Sequence, residues 1–326
     1  SESACEDQPD GFSCLLFRTG GPGSRSDSAQ NDQYVIIRRA FFMDNPKLSV
    51  ITVCYQAEQE IERTIRSVLN QTFTGYEYIF KDGGSTDQTN ELIAFYKPRF
   101  EEKGIRVTHV SERDGGLYEA MNQAVELARG EWCAFLNAGD YYFGPDTLAQ
   151  VFAHEYEETV VYGNTVEVEA GIAYHLEGDI SRIREKSLIC HQSSFIRTDW
   201  MKAAGYDTGY RIAADYDFFL KTFMEGKTFY KLDQYISVFM KDGVSSTNEL
   251  ERVRETEAIR SKWKLTDPSS KEYERKLRMA AFKQLILDHT PRGFSDFLRK
   301  LRREMRGMDR KADLTGENTF FERQGP

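Results

Sequence analysis

Between residues 48 and 136, four short apolar runs alternate with three segments of helical period. That alternation narrows the possible folds more than any other feature of the chain. The first run, Leu48-Ser-Val-Ile-Thr-Val-Cys-Tyr55, is β-branched and almost wholly apolar, the pattern of a strand buried on both faces. From residue 58 to 70 the period becomes helical, with Ile61, Ile65, Val68 and Leu69 on one side and Glu60, Glu62, Arg63 and Arg66 on the other. Residues 76–80, 105–110 and 132–136 are the remaining strands of the series. Helices are expected from Gln88 towards Tyr96 and over 117–128, the second ended by Gly130. Strands and helices in this order predict an α/β fold with a parallel, doubly wound sheet. Such sheets bind ligands beyond the carboxyl ends of their strands. Weight therefore falls on Asn137-Ala138-Gly139-Asp140, which follows the fourth run and can deliver a carboxylate to a hard cation. A strand-ending turn accounts for an Asp there equally well.

Beyond Asp146 the pattern loosens. A helix is expected over 147–156, and strands over 160–162, 165–168, 187–196 and 235–240. Ala213-Ala214-Asp215-Tyr216-Asp217 opens a helix with Phe218, Phe219 and Phe223 on its apolar side. From residue 250 the chain is charged and helix-like, with Pro268 separating two segments. Over 291–311, Phe294, Phe297, Leu298, Leu301 and Met305 share one helical face, and Arg299, Lys300, Arg302, Arg303 and Arg306 crowd the other. A helix of that kind can lie in an anionic membrane surface, at about 1 kcal/mol per basic residue. It can also pack its apolar side on the main domain. Residues 1–45 are rich in Gly, Ser, Asp and Gln and are expected to be poorly structured. Met43 is expected to be the natural start, with the residues before it an extension.

Composition removes several classes. A net charge of −9 over 326 residues argues against nucleic-acid binding, which needs a basic face. The five cysteines include no C-x-x-C pair, so zinc and redox chemistry are not expected, and Cys54 and Cys133 read as reduced core residues. No apolar run reaches the length of a membrane span, and the first residues lack a signal peptide's apolar centre, so a cytoplasmic protein is expected. Tyr55-Gln56-Ala57-Glu58 stands where a dinucleotide oxidoreductase carries its glycine fingerprint.

Taken together, the motifs resemble glycosyltransferase family 2. They are Leu48 to Tyr55, Gln71-Thr72-Phe73, Lys81-Asp82-Gly83-Gly84-Ser85-Thr86-Asp87, Asp114-Gly115-Gly116-Leu117-Tyr118-Glu119-Ala120-Met121-Asn122 and Leu136-Asn137-Ala138-Gly139-Asp140. Cys190-His191-Gln192 and Ala214-Asp215-Tyr216-Asp217 follow in order, so the resemblance covers roughly residues 46–240. It implies an inverting enzyme of GT-A fold, a Rossmann-like nucleotide-binding sheet with helices on both faces plus a C-terminal helical appendage. The domains would be an extension (1–45), a GT-A domain (46–248) and a charged helical region (249–326). The likeness is strongest to bacterial enzymes that add sugars to lipid-linked polysaccharide or glycolipid precursors.

Each site residue takes its role from that resemblance. Thr52 and Tyr55 would line the nucleotide pocket, Asp82 would face base and ribose, and Asp114 would border the nucleotide. Many relatives carry two acids after the second strand, whereas Gly83 follows Asp82 here. Asn122 would support the same wall, or be a structural polar residue on a helix. Asp140 matches the metal-contacting acid, with Mg²⁺ or Mn²⁺ as the cation. His191 would be a further ligand or touch the diphosphate or acceptor, with Gln192 beside it. Asp215 matches the catalytic base, though without the family it would read as a helix N-cap. Asp217 is the reserve and would support the acceptor pocket or the helix start. The implied reaction moves a sugar, most simply from a UDP-sugar, to a lipid-linked oligosaccharide or glycolipid at the inner face of the plasma membrane. The alternative is a non-catalytic, nucleotide-binding scaffold of a membrane-bound polysaccharide assembly complex, suggested by the reduced acidic motif at Gly139.

Overall fold

The computed structural model describes residues 12–18, 34–40, 45–169, 172–240 and 248–289. Met43 and the basic stretch 291–311 lie outside the described residues. Within the region expected to be poorly structured, β1 (Phe12–Arg18) and β2 (Tyr34–Ala40) pair antiparallel. Both are short runs of β-formers that the Gly- and Ser-rich composition of the whole stretch conceals.

The alternating region folds as its period predicts. It runs β3 (Leu48–Cys54), α1 (Ile61–Leu69), β4 (Tyr76–Asp82), α2 (Thr89–Glu102), β5 (Val107–Ser111), α3 (Leu117–Glu126) and β6 (Trp132–Phe135). The four strands are parallel in the order β5-β4-β3-β6, so their carboxyl ends share one edge. β3 shows why its run is apolar throughout. Leu48, Val50 and Cys54 enter one core with α1 and α2, while Ile51 and Val53 enter a second core with α3. Gly130 does not end α3, which stops at Glu126. It is a glycine because the chain there crosses β3, where a Cβ would stand 2.5 Å from the Ser49 nitrogen.

After β6 the chain turns sharply into β7 (Tyr141–Tyr142), then α4 (Thr147–Val151), β8 (Val160–Glu169) and β9 (Ile172–Leu176). The two strands expected between 160 and 168 are one. β10 (Ser194–Arg197), α5 (Thr198–Ala204), α6 (Ala214–Met224) and β11 (Phe229–Met240) follow. Among the described residues the sheet runs β5-β4-β3-β6-β10-β8-β11-β7, with β9 on β8. β10 is antiparallel to both β6 and β8, so the sheet is mixed beyond β6. The expected strand over 187–196 is a tight 3-10 turn, His191–Ser193, leading into the short β10. α7 (Glu249–Lys262) and α8 (Lys271–His289) are the charged helices on either side of Pro268.

Candidate active site

The turn from β6 into β7 builds one corner of the site. Gly139 has φ +100°, a conformation that L side chains rarely adopt. A glycine is therefore demanded by the backbone at the position where the motif lacks its second acid. Thr64 on α1 locks the turn, accepting from the Gly139 N–H and donating to the Asp140 carbonyl at 2.7 Å. Asp140 itself is only 3% exposed. One carboxylate oxygen accepts from the Met240 N–H at the end of β11 (3.0 Å), and the other from Gln192 Nε2 (2.9 Å). Burial pushes this carboxyl up to about 6 despite those two donors and the nearby His191 and Arg63.

Gln192 is buried and adjacent to His191, so the 3-10 turn holds both carboxylates of interest. His191 Nδ1 lies 3.5 Å from Asp215 Oδ2, and its Nε2 lies 3.1 Å from Asn137 Nδ2. A neutral imidazole donating from Nδ1 and accepting at Nε2 satisfies both contacts. The ring therefore bridges Asn137 to Asp215, with both nitrogens engaged. Asp215 is the second residue of α6, not its N-cap, which is Ala213. Its Oδ1 accepts from the Tyr216 N–H at 2.8 Å and lies 3.5 Å from the Tyr118 hydroxyl. The side chain keeps 25% of its surface exposed, open to an incoming hydroxyl.

Two features fit a divalent cation at the Asp140 corner. Each Asp140 oxygen retains a lone pair after its hydrogen bond, and Asn137 Oδ1 is buried without a partner. No group of three or more His, Cys, Asp or Glu side chains converges as a metal cage among the described residues. Mg²⁺ and Mn²⁺ suit such a sparse set, because substrate oxygens and water complete their coordination.

The carboxyl ends of β3 and β4 form the other corner. Tyr55 is exposed and packs beside Gly83, where Asp114 also approaches. Asp82 is fully buried and bound by several donors. It accepts from the Gly84 and Ser85 amides, the Ser85 and Ser111 hydroxyls and Asn90. Burial raises its proton affinity, but the Ser111, Ser85 and Asn90 donors outweigh it and hold the carboxyl below its usual range. Asp82 thus shapes the loop after β4, with four of these donors on Oδ2 and the Ser85 hydroxyl on Oδ1. Lys81, quoted in the motif without a role, is 2% exposed and donates to the Asp82 and Glu112 carbonyls and to Asp114 (3.2 Å).

Three further candidate residues are engaged by the protein itself. Thr52 is 0% exposed and bonds the Leu136 carbonyl and the Tyr78 hydroxyl, so it belongs to the core beneath the site. Asp217 points away from Asp215 into an ion pair with Lys262 of α7 (3.3 Å). Asn122 clips both backbone groups of Tyr206, at 2.9 and 2.8 Å. Asn122→Ala is expected to cost about 1–3 kcal/mol, the penalty for orphaned backbone groups. Urea unfolding should show that loss with nucleotide binding intact; impaired binding at wild-type stability would return Asn122 to the nucleotide wall. Arg63 was missed. Its Nε donates to the Gly139 carbonyl (3.0 Å), and it stacks over Tyr141 beside Asp140. Its place on the polar side of α1 carried no signal of that.

The α/β sheet with carboxylates at the carboxyl edge of its parallel strands has the architecture of the GT-A fold. Two solved structures share that fold. S. aureus TarS 1–349 has TM-score 0.51 at 22% identity, over 65% of this chain and 64% of that one. The mannosyltransferase PcManGT of Pyrobaculum calidifontis, in complex with GDP-Man and Mn²⁺, has TM-score 0.53 at 15% identity, over 80% of each chain. The profile of Glycosyl transferase family 2 matches residues 49–202. A "PGL/p-HBAD biosynthesis glycosyltransferase" of Mycobacterium bovis is 34% identical over 185 residues, 56% of this chain and 71% of the relative. The chondroitin synthase of Escherichia coli is 28% identical over 54% of this chain and 26% of its own length. The chain belongs to glycosyl transferase family 2.

Proposed function

We propose that the protein transfers a sugar, with inversion, from a UDP-sugar to a lipid-linked oligosaccharide or glycolipid at the inner face of the plasma membrane, using Mg²⁺ or Mn²⁺. The observation that carries the proposal is the His191–Gln192 turn, which ties Asp140 and the half-open Asp215 into one site. TarS was solved with UDP and with UDP-GlcNAc, which supports a uridine nucleotide. The M. bovis relative, named for PGL/p-HBAD biosynthesis, supports a glycolipid acceptor. For the membrane, support comes from Met279, Phe282 and Leu285, exposed on α8 ahead of the basic stretch. Among the described residues no helix is long and apolar enough to cross a bilayer. The scaffold alternative rested on the missing acid at Gly139, where a φ of +100° favours glycine in a catalytic chain and a scaffold alike.

Asp215 takes the proton of the acceptor hydroxyl as its oxygen attacks the anomeric carbon from the face opposite the diphosphate. The C–O bond to the diphosphate breaks as the new one forms, inverting the centre and releasing the nucleoside diphosphate. His191 and Tyr118 hold the base in position. Asp140 and Asn137 would hold the cation, which supplies charge neutralisation to the leaving group when bound. Tyr55, Asp114 and the loop shaped by Asp82 would frame the nucleotide.

A thermal-shift panel of UDP, GDP, dTDP and CMP, each with and without Mn²⁺, tests the donor. UDP with Mn²⁺ should stabilise the fold by about 2.7 kcal/mol at a hundredfold excess over its dissociation constant. A shift with GDP alone would replace the donor class. No shift with any nucleotide would discard the transferase reading.

A further inference from the structure

α7 lies beyond the part of the chain that matches the family profile, and its charged sequence carries no apolar stripe. One face of it nonetheless reaches into the body of the protein. Glu255, Ile259 and Lys262, at positions i, i+4 and i+7, all point at α6 and the segment before it. Ile259 is fully buried in the core shared with Phe218, Phe219 and Leu220, and Lys262 pairs with Asp217. Glu255 is 7% exposed and accepts three backbone amides. Arg211 N–H donates to one oxygen at 2.7 Å, and the Ile212 and Ala213 N–H groups donate to the other at 2.8 Å.

These amides lead directly into α6. The helix has no side-chain cap of its own, since Ala213 has none to offer. The Ile212 carbonyl accepts from the Tyr118 hydroxyl (2.8 Å), which also lies beside Asp215. The segment is therefore gripped from both sides, by a carboxylate on its amides and a phenol on its carbonyl. A charge-assisted bond to backbone N–H is among the stronger hydrogen bonds available, and an anion here also suits the helix N-terminus.

We infer that Glu255 is a positioning residue, which sets the entry angle of α6 and hence the reach of Asp215 towards the acceptor hydroxyl. The inference rests on the reading of Asp215 as the base. Its consequence is that the C-terminal helix, though outside the nucleotide-binding sheet, controls turnover and not donor binding. Gln at 255 keeps the shape but replaces one acceptor oxygen with a donor facing N–H groups.

The test measures UDP released from UDP-GlcNAc and UDP-glucose with Mn²⁺, water serving as acceptor, alongside the thermal shift produced by UDP and Mn²⁺. Glu255→Gln should lower kcat about 10–100-fold, the scale of a displacement near 1 Å, with KM and the UDP shift close to wild type. Glu255→Asp should recover part of the turnover lost in Glu255→Ala. In the Asp215→Asn background, Glu255→Gln should cost nothing further. Loss of turnover in Asp215→Asn with wild-type kcat in Glu255→Gln overturns the positioning role alone. Wild-type kcat in Asp215→Asn overturns the base and the clamp together. If Glu255→Gln does not fold, hydrogen exchange on the wild-type chain decides. The amides of 211–213, which lie outside any helix or strand, should exchange slowly and in step with α7; fast exchange there overturns the inference.

Discussion

Asp215→Asn is expected to lose about 10²–10⁴-fold in turnover while keeping the full stabilisation by UDP and Mn²⁺. The amide has the same shape as the carboxylate, so its Oδ1 can go on accepting from Tyr216 N–H and the α6 start is preserved. It cannot take a proton at neutral pH. Its amide nitrogen then faces His191 Nδ1, which accepts from it in the other imidazole tautomer, while Asp140 is held separately by Gln192 and Met240. Chemistry and donor binding should therefore separate cleanly, as they would not if Asp215 lay in the donor pocket. Retained turnover, or loss of nucleotide binding together with turnover, would sink the assignment.

Asp140→Asn should have the opposite profile, with loss of the cation-dependent nucleotide shift and a gain in the stability of the free protein at neutral pH. The gain follows from the buried charge. In the folded chain the carboxyl sits at about 6 against an ordinary 3.8, so the folded state holds its proton more tightly than the unfolded state does. Stability from this group is then complete below about pH 4, declines as pH rises through 6, and is flat above. The decline amounts to about 3 kcal/mol, at 1.36 kcal/mol per pKa unit. Asn carries no charge and lacks this slope, and rotation of the Gln192 amide restores its hydrogen bond. Asp82 contributes with the opposite sign, since donors from Ser111, Ser85 and Asn90 hold its carboxyl low. The difference between wild type and variant therefore isolates Asp140, where an absolute pH profile would not. In wild type a cation has to displace the proton, so Mn²⁺ affinity should fall about tenfold per pH unit below 6. Urea titrations between pH 4 and 8 check the first effect, and UDP–Mn²⁺ shifts over the same range the second. A variant with the wild-type pH slope, or one that still needs Mn²⁺ to bind UDP, would remove Asp140 from the cation corner.

Much of the fold was legible because its signals are local. The β-branched run at β3 and the 3.6-residue period of α1 each lie within about ten residues, and strand-helix alternation implies a parallel sheet. Strand ends were less legible past β6, where short antiparallel pieces replace the regular units. The His191–Ser193 turn was read as strand because its small and polar residues carry no helical period.

The site was legible in a different way. The family resemblance of the motifs singled out Asp140, His191, Gln192 and Asp215, and the structure brings these four together through one turn. Which polar side chains remain available for substrate was decided only by the tertiary structure. Asp82 and Asp215 are both carboxylates beside a turn, yet one is fully buried among five donors and the other keeps an open face. Thr52 and Asn122 are spent on Leu136 and Tyr206, 84 residues away in both cases. Glu255 grips amides more than 40 residues earlier. Sequence by itself determined the strands, the helices and the positions where carboxylates could stand. Tertiary packing decided which of them are free to act, because a buried polar group must find partners wherever the fold supplies them.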